Sequence, residues 1–598
     1  LARRIGQLTG DAARVLRTIA AAGEPLAQEV IGHALAMGHD TLASVLEPLV
    51  DGGLVRLAGL TPADVCELMH EPIAAAVAAT ADDPTLAAEH RRLAGALDEL
   101  EPGGPRSVEH WVAAGDGARA AAAALAVCDR ARDVVGMGRA AALCELVLAR
   151  ARPAHAATFL GRYADALASS GQGERAAEAY RAASLEASGA QRLDLERAAA
   201  AHFLRCGRID DGTQLARRVA TTLGLDLGVT ANRMLGKITL ERIRNRWRGM
   251  ALAPVPSLTE GLEADACYSL SNGMAMIDLV RAAWFTSRGV RHALDSGAPD
   301  RAARALAMEA ALLAGRGRAQ VARARETLAQ ARAFATRAGD PSVLALVELA
   351  AGLVALQLCD HRATRDHCER AVAMFRTGVA GVAFEQHIAE YYAIVADYWL
   401  GAWGRLAVHK QALVRVAEAT QDRFARLSAK SGVGMIGDLI AGASADALHA
   451  EIAASQREWP RERAPATYLR QLVAATMVDR YHGRDRDAAA RLDAGWPHLV
   501  RARALTSEQA RGTLLALRAL VYLRVDRLGE ARADARALRG LPAMRGPAAL
   551  IEAALAHLAG DDASALLDEG IAACTADGLE AYAVAARERR GRPRGGDA

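Results

Sequence analysis

The sequence predicts an all-α protein in which paired helices stack into a right-handed solenoid, preceded by a small domain of different character. Hydrophobic residues make up 52% of the 598 residues, and most of them are alanine and leucine, which lose little free energy on entering a helix. Aromatic residues account for only 4%. From about residue 85 onward, helical segments alternate with short turns, and similar units recur, as in helical repeat proteins.

The first predicted domain is residues 1–84. Helices are expected at 11–22, 25–36 and 40–49, with Gly23 ending the first and Pro25 opening the second. The third segment contains neither Lys nor Arg. A DNA-recognition helix normally needs basic or amide side chains, so DNA binding is not favoured for this domain.

A glycine turn follows the third predicted helix. Asp51-Gly52-Gly53 precedes Leu54-Val55-Arg56-Leu57, a short alternating segment that predicts the start of a β-wing. Three helices followed by a wing predict a winged-helix-like domain.

The clearest repeat covers residues 157–187. Small residues are expected where the two helices of a pair cross, large residues where repeats stack, and a glycine turn between the helices. The turn is Gly171-Gln172-Gly173. The residues on the two predicted helix faces are Leu160, Tyr163, Ala164 and Leu167, then Ala176, Tyr180 and Ala183. This spacing is typical of tetratricopeptide (TPR) repeats and predicts a TPR-like unit.

Weaker copies of the same pattern define two predicted arrays, residues 85–223 and residues 263–598. Their predicted turns lie at Gly207, Cys359-Asp360, Gly483, Asp526 and Gly560-Asp561. The residues at the corresponding repeat positions are Ala200, Phe203, Gly212, Val219, Gly352, Ala371, Ala488, Ala519, Ala531, Ala553 and Ala565. The spacing drifts from copy to copy, so a degenerate solenoid is expected.

Residues 224–262 interrupt the repeats and predict a basic helix followed by a linker. Four arginines surround Trp247, and Ala253-Pro254-Val255-Pro256 then breaks the helix. A solvated helix face is the favoured interpretation. The alternative is a site for an acidic partner or a phosphate, with Arg242, Arg246 and Trp247 as candidate contacts.

Charge and cysteine content argue against several classes of protein. The net charge is +3, from 73 basic and 70 acidic residues, so there is no general nucleic-acid signature. The eight cysteines form no CxxC pair and are expected to be buried small residues in a reducing compartment, which predicts a cytoplasmic location. No stretch is long and apolar enough for a membrane-spanning helix, and no membrane partner is expected.

Common catalytic signatures are missing from the sequence. It has no GxxxxGK[ST] phosphate loop, no kinase catalytic motif, no HExxH, no GxSxG, and no Cys/His cluster at zinc spacing. No catalytic residue and no metal or cofactor site are therefore predicted within this chain.

Two clusters leave alternatives open. Tyr391, Tyr392 and Trp399, with Tyr398 and Trp403 nearby, have roughly helical spacing; core packing is the favoured interpretation, and a ligand pocket on the concave face of the solenoid is the alternative. His361, His367 and Cys368 lie close together, which allows a metal site, although a turn with polar surface residues is favoured.

His70 lies just after the predicted wing, where capping or packing at a helix start is the favoured interpretation and contact with a nucleotide phosphate held by a neighbouring domain is the alternative. The stretch 69–77, Met-His-Glu-Pro-Ile-Ala-Ala-Ala-Val, resembles the end of the ATPase module in STAND-type (AAA-like) signal-transduction NTPases. In that family a winged helix follows the nucleotide-binding core.

Further blocks extend the resemblance along the chain. Residues 90–97 and 110–121 resemble the next blocks of the family, where the TPR-like repeats begin, and 265–270, 304–310 and 587–596 resemble the long C-terminal region of bacterial, often myxobacterial, Ser/Thr kinase–ATPase proteins. The resemblance implies that a full-length protein binds ATP or ADP and phosphorylates Ser or Thr. Because the chain begins with Leu1, we expect it to be a fragment lacking the kinase and phosphate-loop domains.

The predicted function is therefore the regulatory, ligand-sensing and protein-interaction arm of a larger signalling ATPase or kinase, with those domains as partners in cis and a protein, peptide or small ligand on the concave face. The first alternative is a free-standing TPR scaffold protein. The second is the ligand-sensing region of a LuxR- or SARP-type STAND transcriptional regulator, which would need a helix-turn-helix outside the solenoid.

Overall fold

The computed structural model describes residues 2–225, 227, 230–377, 381–541 and 544–591. Residues 592–596 of the predicted block 587–596 lie outside the described residues, as do 226, 228 and 229 of the predicted segment 224–262. The chain forms two compact units. The first is residues 1–170 with 185–187, and the second is residues 171–184 with 188–598. The predicted domain limits stay predictions.

The first unit begins with short helices and a small three-stranded sheet. Its elements are α1 (Ala2–Gly6), α2 (Gly10–Ala22), β1 (Leu26–Ala27), α3 (Gln28–Leu35), α4 (His39–Asp51), β2 (Val55–Leu57), β3 (Val65–Leu68), α5 (Glu71–Ala78), α6 (Asp83–Leu100), α7 (Pro105–Ala113), α8 (Gly117–Arg130), α9 (Val134–Arg150) and α10 (Ala156–Ser169). In the sheet, β3 lies between β1 and β2 and pairs antiparallel with both.

The predicted start of the second helix at Pro25 is wrong. The chain after Pro25 first forms β1, whose Leu26 is opposite Cys66 of β3, and α3 starts only at Gln28. The amide of Gln28 donates to the carbonyl of Asp64. The local proline signal is therefore overridden by strand pairing with a segment distant in sequence. A strand, β2, is present where the start of the wing was predicted.

The second unit is entirely helical in its described residues. Its α-helices are α11 (Gly173–Leu185), α12 (Gly189–Arg205), α13 (Ile209–Thr222), α14 (Ala231–Arg248), α15 (Leu258–Met274), α16 (Leu279–Asp295), α17 (Pro299–Ala314), α18 (Val321–Ala338), α19 (Pro341–Gln357), α20 (His361–Arg376), α21 (Ala383–Trp399), α22 (Trp403–Thr420), α23 (Arg423–Ala429), α24 (Ile436–Ile440), α25 (Ala445–Glu458), α26 (Pro465–Tyr481), α27 (Asp485–Arg501), α28 (Glu508–Arg524), α29 (Leu528–Arg539), α30 (Arg545–Leu558), α31 (Ser564–Ala576) and α32 (Glu580–Gly591). Two 3₁₀ helices cover Arg318–Gln320 and Gly432–Met435.

These helices pack as an α-solenoid. Most contact their sequence neighbour, as α12 contacts α13 and α30 contacts α31, and several also contact the next helix but one, as α17 contacts α19. This local packing confirms the predicted all-α repeat architecture.

The predicted turns between paired helices share one hydrogen-bond pattern. The amide of Arg208 donates to the carbonyl of Phe203, that of Arg484 to Asp479, and that of Asp561 to Ala556. Each bond spans five residues and closes around a residue with positive φ, Gly207, Gly483 and Gly560 in turn. This is the Schellman ending of a helix, which needs a left-handed residue. It explains why glycine marked these turns in the sequence.

The residues predicted at repeat positions are buried with three exceptions, of which Leu160 and Tyr163 are half-buried. Ala565 is exposed, because α31 begins at Ser564 and Ala565 lies in its first turn. The small residue of α31 that is buried against α30 is Gly570, where an added Cβ would come 2.5 Å from Leu550 Cδ2.

Gly212 of α13 tests the prediction that small residues are needed where the two helices of a pair cross. A Cβ there would meet Cγ of Leu204 at 2.6 Å and the Leu204 backbone nitrogen at 2.9 Å. We expect Gly212→Ala to destabilise the second unit by about 1–3 kcal/mol, the usual cost of overpacking. Gly236→Ala is the matched control, since Gly236 is exposed in α14 and an added Cβ there would have no atom within 4 Å. The control is expected to gain about 0.5–1 kcal/mol from helix propensity. Urea denaturation measures both; equal effects would contradict the prediction.

Part of the predicted basic segment forms α14, which packs against α16 within the second unit. Its arginines do not form one solvated face. Arg242 is turned inward to Glu309, and Arg248 donates to Asp295 at 2.8 Å. The proline-rich stretch after α14 packs beside the C-terminal end of α16, where the amide of Ala253 donates to the carbonyl of Leu294.

No helix among the described residues is both long and apolar enough to span a membrane. None of the eight cysteines forms a disulfide, and seven are buried as predicted, while Cys359 is half-buried at the turn before α20.

Candidate ligand cavity

A cavity of about 630 Å³ lies inside the second unit. Its wall is built by residues from distant parts of the sequence, on α14, α16, α19, α21, α26 and α28 among other elements. Cavities of this size are typical of small-molecule sites, which hold most of a ligand's surface away from water.

The cavity exists because late helices of the array return to early ones. The hydroxyl of Thr467, at the start of α26, donates to the carbonyl of Met276 at 2.8 Å, and both residues line the cavity. The hydroxyl of Ser507, before α28, donates to Gln357 Oε1 at 2.6 Å. These contacts join segments 191 and 150 residues apart, so the local repeat pattern does not predict them.

Aromatic side chains of α21 form one side of the cavity. Tyr391 and Tyr392 lie edge to face, with ring centroids 5.1 Å apart. Trp399 is 2% exposed and stacks between His361 and Tyr582, with centroid distances of 5.4 and 5.8 Å. Burial raises the pKa of Tyr392 to about 12, so its hydroxyl stays protonated at neutral pH.

Arg242 contributes a charge that is already neutralised. Its Nε donates to Glu309 Oε1 at 2.6 Å and its Nη2 to Glu309 Oε2 at 3.3 Å, and the hydroxyl of Ser287 donates to Glu309 Oε2 at 2.9 Å. The Arg242 and Glu309 side chains are 15% and 6% exposed. This bidentate pair joins α14, α16 and α17 behind the cavity surface.

Two further arginines line the cavity without a carboxylate partner among the described residues. The guanidinium of Arg470 lies 3.7 Å from the centroid of the Tyr391 ring, and its buried Nε and Nη2 have no hydrogen-bond acceptor. Arg316 follows α17 and is exposed. Burial of part of its side chain and the nearby Arg242 lower the pKa of Arg316, while Glu309 opposes the shift.

The described residues lining the cavity include three arginines and no aspartate or glutamate. Glu309, behind Arg242, compensates one of these charges. The rest of the wall is mostly aliphatic and aromatic, with a few polar groups such as Thr467, Gln357 and Thr513. An apolar cavity with an excess of cationic groups can hold the hydrophobic part of a ligand and attract an anionic part.

The structure brings together four of the residues predicted from the sequence as partner or ligand contacts. Arg242, Tyr391, Tyr392 and Trp399 all line this cavity. Their role in binding stays a prediction. Arg246 and Trp247 do not line it: both are exposed on α14, Trp247 to 84%.

Sequence reasoning missed Arg316 and Arg470. A signal existed for Arg470, because it lies in α26, whose buried residues cover nearly the whole helix circumference. Such helices are surrounded by other elements, so a charged residue within one requires a specific explanation. Arg316 follows a helix end in the run Gly315-Arg316-Gly317, which resembles any exposed turn.

The interpretation of His361, His367 and Cys368 as polar surface residues of a turn is wrong. His361 is 1% exposed and Cys368 is fully buried. Burial lowers the pKa of His361 to about 4, although Asp360 opposes this shift, and the neutral ring packs on Trp399. His367 Nδ1 lies 2.8 Å from Glu348. The described residues contain no group of three or more potential metal ligands.

His70 occupies the N-cap position of α5, and its carbonyl accepts the amide of Ile73 at 3.1 Å. Its side chain is exposed and does not cap the helix. A nucleotide contact through His70 stays a prediction.

No protein-family model matches the sequence, and no curated protein matches it. Among solved structures, a signal-transduction ATPase (STAND) protein with a tetratricopeptide repeat sensor from Pyrococcus horikoshii aligns with 14% identity and a TM-score of 0.37, over 84% of this chain and 65% of that one. Aspartyl phosphate phosphatase F from Bacillus subtilis aligns with 11% identity and a TM-score of 0.26, over 69% and 97%. The chain thus spans about two thirds of the Pyrococcus protein. Both similarities are distant, and the fold assignment rests on the helices themselves.

Proposed function

We propose that this chain is the ligand-sensing and regulatory arm of a larger signalling ATPase or Ser/Thr protein kinase. The single observation that carries the proposal is the cavity of about 630 Å³ inside the helical array. Because its wall combines segments distant in sequence, a ligand that binds there changes the relative stability of many helix contacts at once. That is the physical requirement for a sensor whose state is transmitted to another domain.

The resemblance of residues 69–77, 90–97 and 110–121 to blocks of STAND-type NTPases supports the attachment of an ATPase to the N-terminal side of this chain. In that arrangement ATP or ADP binds the preceding domain, and the winged-helix-like domain connects that domain to the sensor. The myxobacterial-type order of kinase, ATPase and helical region would add a Ser/Thr kinase further upstream.

The reading frame upstream of Leu1 tests this attachment. The expected result is an in-frame segment containing GxxxxGK[ST], with or without a kinase domain before it. A start codon and ribosome-binding site immediately before Leu1 would overturn the proposal and leave an autonomous protein.

The sensing step has its own test in the full-length protein. ATP turnover is measured with and without the small-molecule ultrafiltrate of a lysate of the source organism. Ala283 lines the cavity on α16 and is half-buried. We expect Ala283→Trp, which fills part of the cavity, to abolish the change in turnover that the ultrafiltrate causes. An unchanged response in the filled variant would place sensing elsewhere.

A free-standing scaffold is the second candidate, favoured by an exposed apolar stripe on α14. Leu240, Ile243 and Trp247 are 47%, 43% and 84% exposed and lie three and four residues apart, on one helix face. Such a stripe is typical of protein contacts. The reading-frame experiment separates the two candidates.

A further inference from the structure

The residues of the cavity wall indicate which class of ligand the cavity accepts. We infer that the cavity binds a small organic anion with an apolar, ring-containing body, and that Arg470 and Arg316 recognise its charged group. The inference rests on the proposed ligand-sensing function and specifies the class of ligand.

Arg470 carries most of this inference. Its Nε and Nη2 lack an acceptor, and these two nitrogens form the side-on edge of a guanidinium that binds a carboxylate or phosphate through two parallel hydrogen bonds. A buried cationic donor without an acceptor is unfavourable. Nothing among the described cavity-lining residues offers a carboxylate to compensate it. An anion in the cavity would.

The stack on Tyr391 fixes the plane of this guanidinium. With the cation 3.7 Å from the ring centroid, the flat face of Arg470 is occupied and its edge remains for hydrogen bonding. Nε and Nη2 are shielded from solvent, so the inference requires the guanidinium to turn over the Tyr391 ring when an anion binds. Once there, the interaction occurs in a low-dielectric environment, where it is stronger than in water.

Arg316 supplies a second positive charge at a more exposed part of the wall. The Glu309 carboxylate near Arg316 is hydrogen-bonded to Arg242. The guanidinium of Arg316 is therefore available to bind a ligand. Its exposure allows it to attract an anion from solution, whereas Arg470 lies deeper.

The remaining wall specifies the body of the ligand. Val395 and Val473 are buried and face the cavity together with Leu235 and Ile238, and Tyr392 adds an aromatic surface. A volume of about 630 Å³ suits a molecule of drug-like size. A simple inorganic anion would leave this apolar surface uncovered, and the inference therefore requires both parts.

A matched pair of dyes tests the inference on the whole chain. 8-Anilinonaphthalene-1-sulfonate and N-phenyl-1-naphthylamine share the same aromatic body, and only the first has an anionic group. Fluorescence titration is expected to show tighter binding of the sulfonate. Arg470→Gln should weaken it about ten- to a hundredfold, the loss of a hydrogen bond to a charged group. Binding of the neutral dye should change less than about twofold, because Arg470→Gln leaves the apolar wall intact.

Three controls keep the result interpretable. Arg486→Gln removes an exposed arginine of α27 that does not line the cavity and should leave both titrations unchanged. Ala283→Trp should weaken both dyes, which places them in the cavity. Arg316→Gln should weaken only the sulfonate, by less than Arg470→Gln, and it provides an independent test if the Arg470 variant does not fold by circular dichroism.

Displacement of the bound sulfonate by 2-naphthoate and by 2-naphthyl phosphate then distinguishes a carboxylate from a phosphate ligand. Equal affinity of the two dyes, with no effect of either arginine variant, would overturn the anion inference while leaving a ligand cavity in place. Binding unaffected by Ala283→Trp, or no binding of either dye, would also overturn it. The reading-frame result is independent of all these outcomes, so failure of the inference and failure of the proposed attachment are separable.

Discussion

Replacing Asp422 with alanine is expected to destabilise the second unit by about 3–5 kcal/mol, the cost of breaking a buried ion pair from one side. Asp422 Oδ2 lies 3.2 Å from His387 Nδ1, and the two side chains are 13% and 3% exposed. Asp422 Oδ1 also accepts the amides of Phe424 and Ala425 at 2.8 and 3.0 Å, which caps α23. The substitution removes the partner of His387 and the cap together.

The buried surroundings of the His387–Asp422 pair explain this large expected loss of stability. Burial lowers the pKa of His387, but the Asp422 carboxylate, with contributions from Glu390 and Glu385, raises it above its ordinary value of 6.5. Glu385 itself pairs with Arg205 at 3.6 Å. Burial raises the pKa of Asp422, but His387 and the two capping amides lower it below its ordinary value of 3.8. The His387–Asp422 pair thus connects α21 with the start of α23, and the nearby Glu385 connects α21 with α12.

These directions define a pH window. The contribution of His387 is complete below pH 6.5, its ordinary pKa, and is lost as pH rises through the raised value in the folded chain. The contribution of Asp422 is complete above pH 3.8 and is lost as pH falls through its lowered value. The difference between wild type and Asp422→Ala should be largest between these limits and smaller at pH 9.

Six of the seven tryptophans lie in the second unit, so tryptophan fluorescence during urea denaturation reports mainly on it. Asp340→Ala is the matched control, because exposed Asp340 caps α19 by accepting the amide of Ser342 at 2.8 Å and has no buried partner. It should cost only about 1 kcal/mol, as for an ordinary N-cap. Equal effects of the two substitutions would show that the His387 pair contributes nothing.

Local signals in the sequence were enough for the helix and turn pattern. Glycine readily adopts the left-handed conformation that closes a Schellman ending, so Gly207, Gly483 and Gly560 marked turns correctly. The same reasoning failed at Pro25 and at Ala565. At Pro25 the decisive contact is with β3, and at Ala565 the start of α31 shifts the buried face to Gly570.

The cavity could not be predicted from local sequence signals, because contacts between segments distant in sequence form it. The aromatic spacing of Tyr391, Tyr392 and Trp399 indicated an inward face of α21, which is a local property. That this face meets Arg470 is decided by contacts such as Thr467 to Met276, which cross 191 residues. Single-sequence patterns contain no signal for such distances. The basic helix shows the same limit, because its four arginines look alike in sequence, yet Arg242 is half-buried against Glu309 and Arg246 is exposed.

The buried pair of Arg242 and Glu309 gives the second large expected effect. Among the described residues Glu309 supplies the one carboxylate paired with Arg242, so Glu309→Ala leaves this arginine unpaired in a site where its side chain is 15% exposed. It also removes the charge that opposes the repulsion between Arg242 and Arg316. We expect a loss of about 3–5 kcal/mol in the free energy of unfolding of the second unit, measured by the same fluorescence method.

An exposed ion pair provides the control. Arg484 and Asp446 approach to 3.2 Å with side chains 43% and 87% exposed, so Asp446→Ala should cost less than about 1 kcal/mol. A similar small loss for Glu309→Ala would mean that water reaches Arg242 freely.

Replacing Arg242, Glu309 and Ser287 together with apolar residues tests whether the fold needs the ion pair itself or only needs to avoid an unpaired buried charge. In the triple variant Arg242→Met, Glu309→Leu and Ser287→Ala, no buried charge or hydroxyl of the group remains unpaired. Because apolar replacement of a buried ion pair is often neutral or stabilising, most of the stability lost in Glu309→Ala should return. Binding of 8-anilinonaphthalene-1-sulfonate should also persist in this variant, since Arg470 and Arg316 are unchanged. A triple variant that folds but no longer binds the dye would move anion recognition from Arg470 to Arg242, the arginine that the sequence alone had indicated.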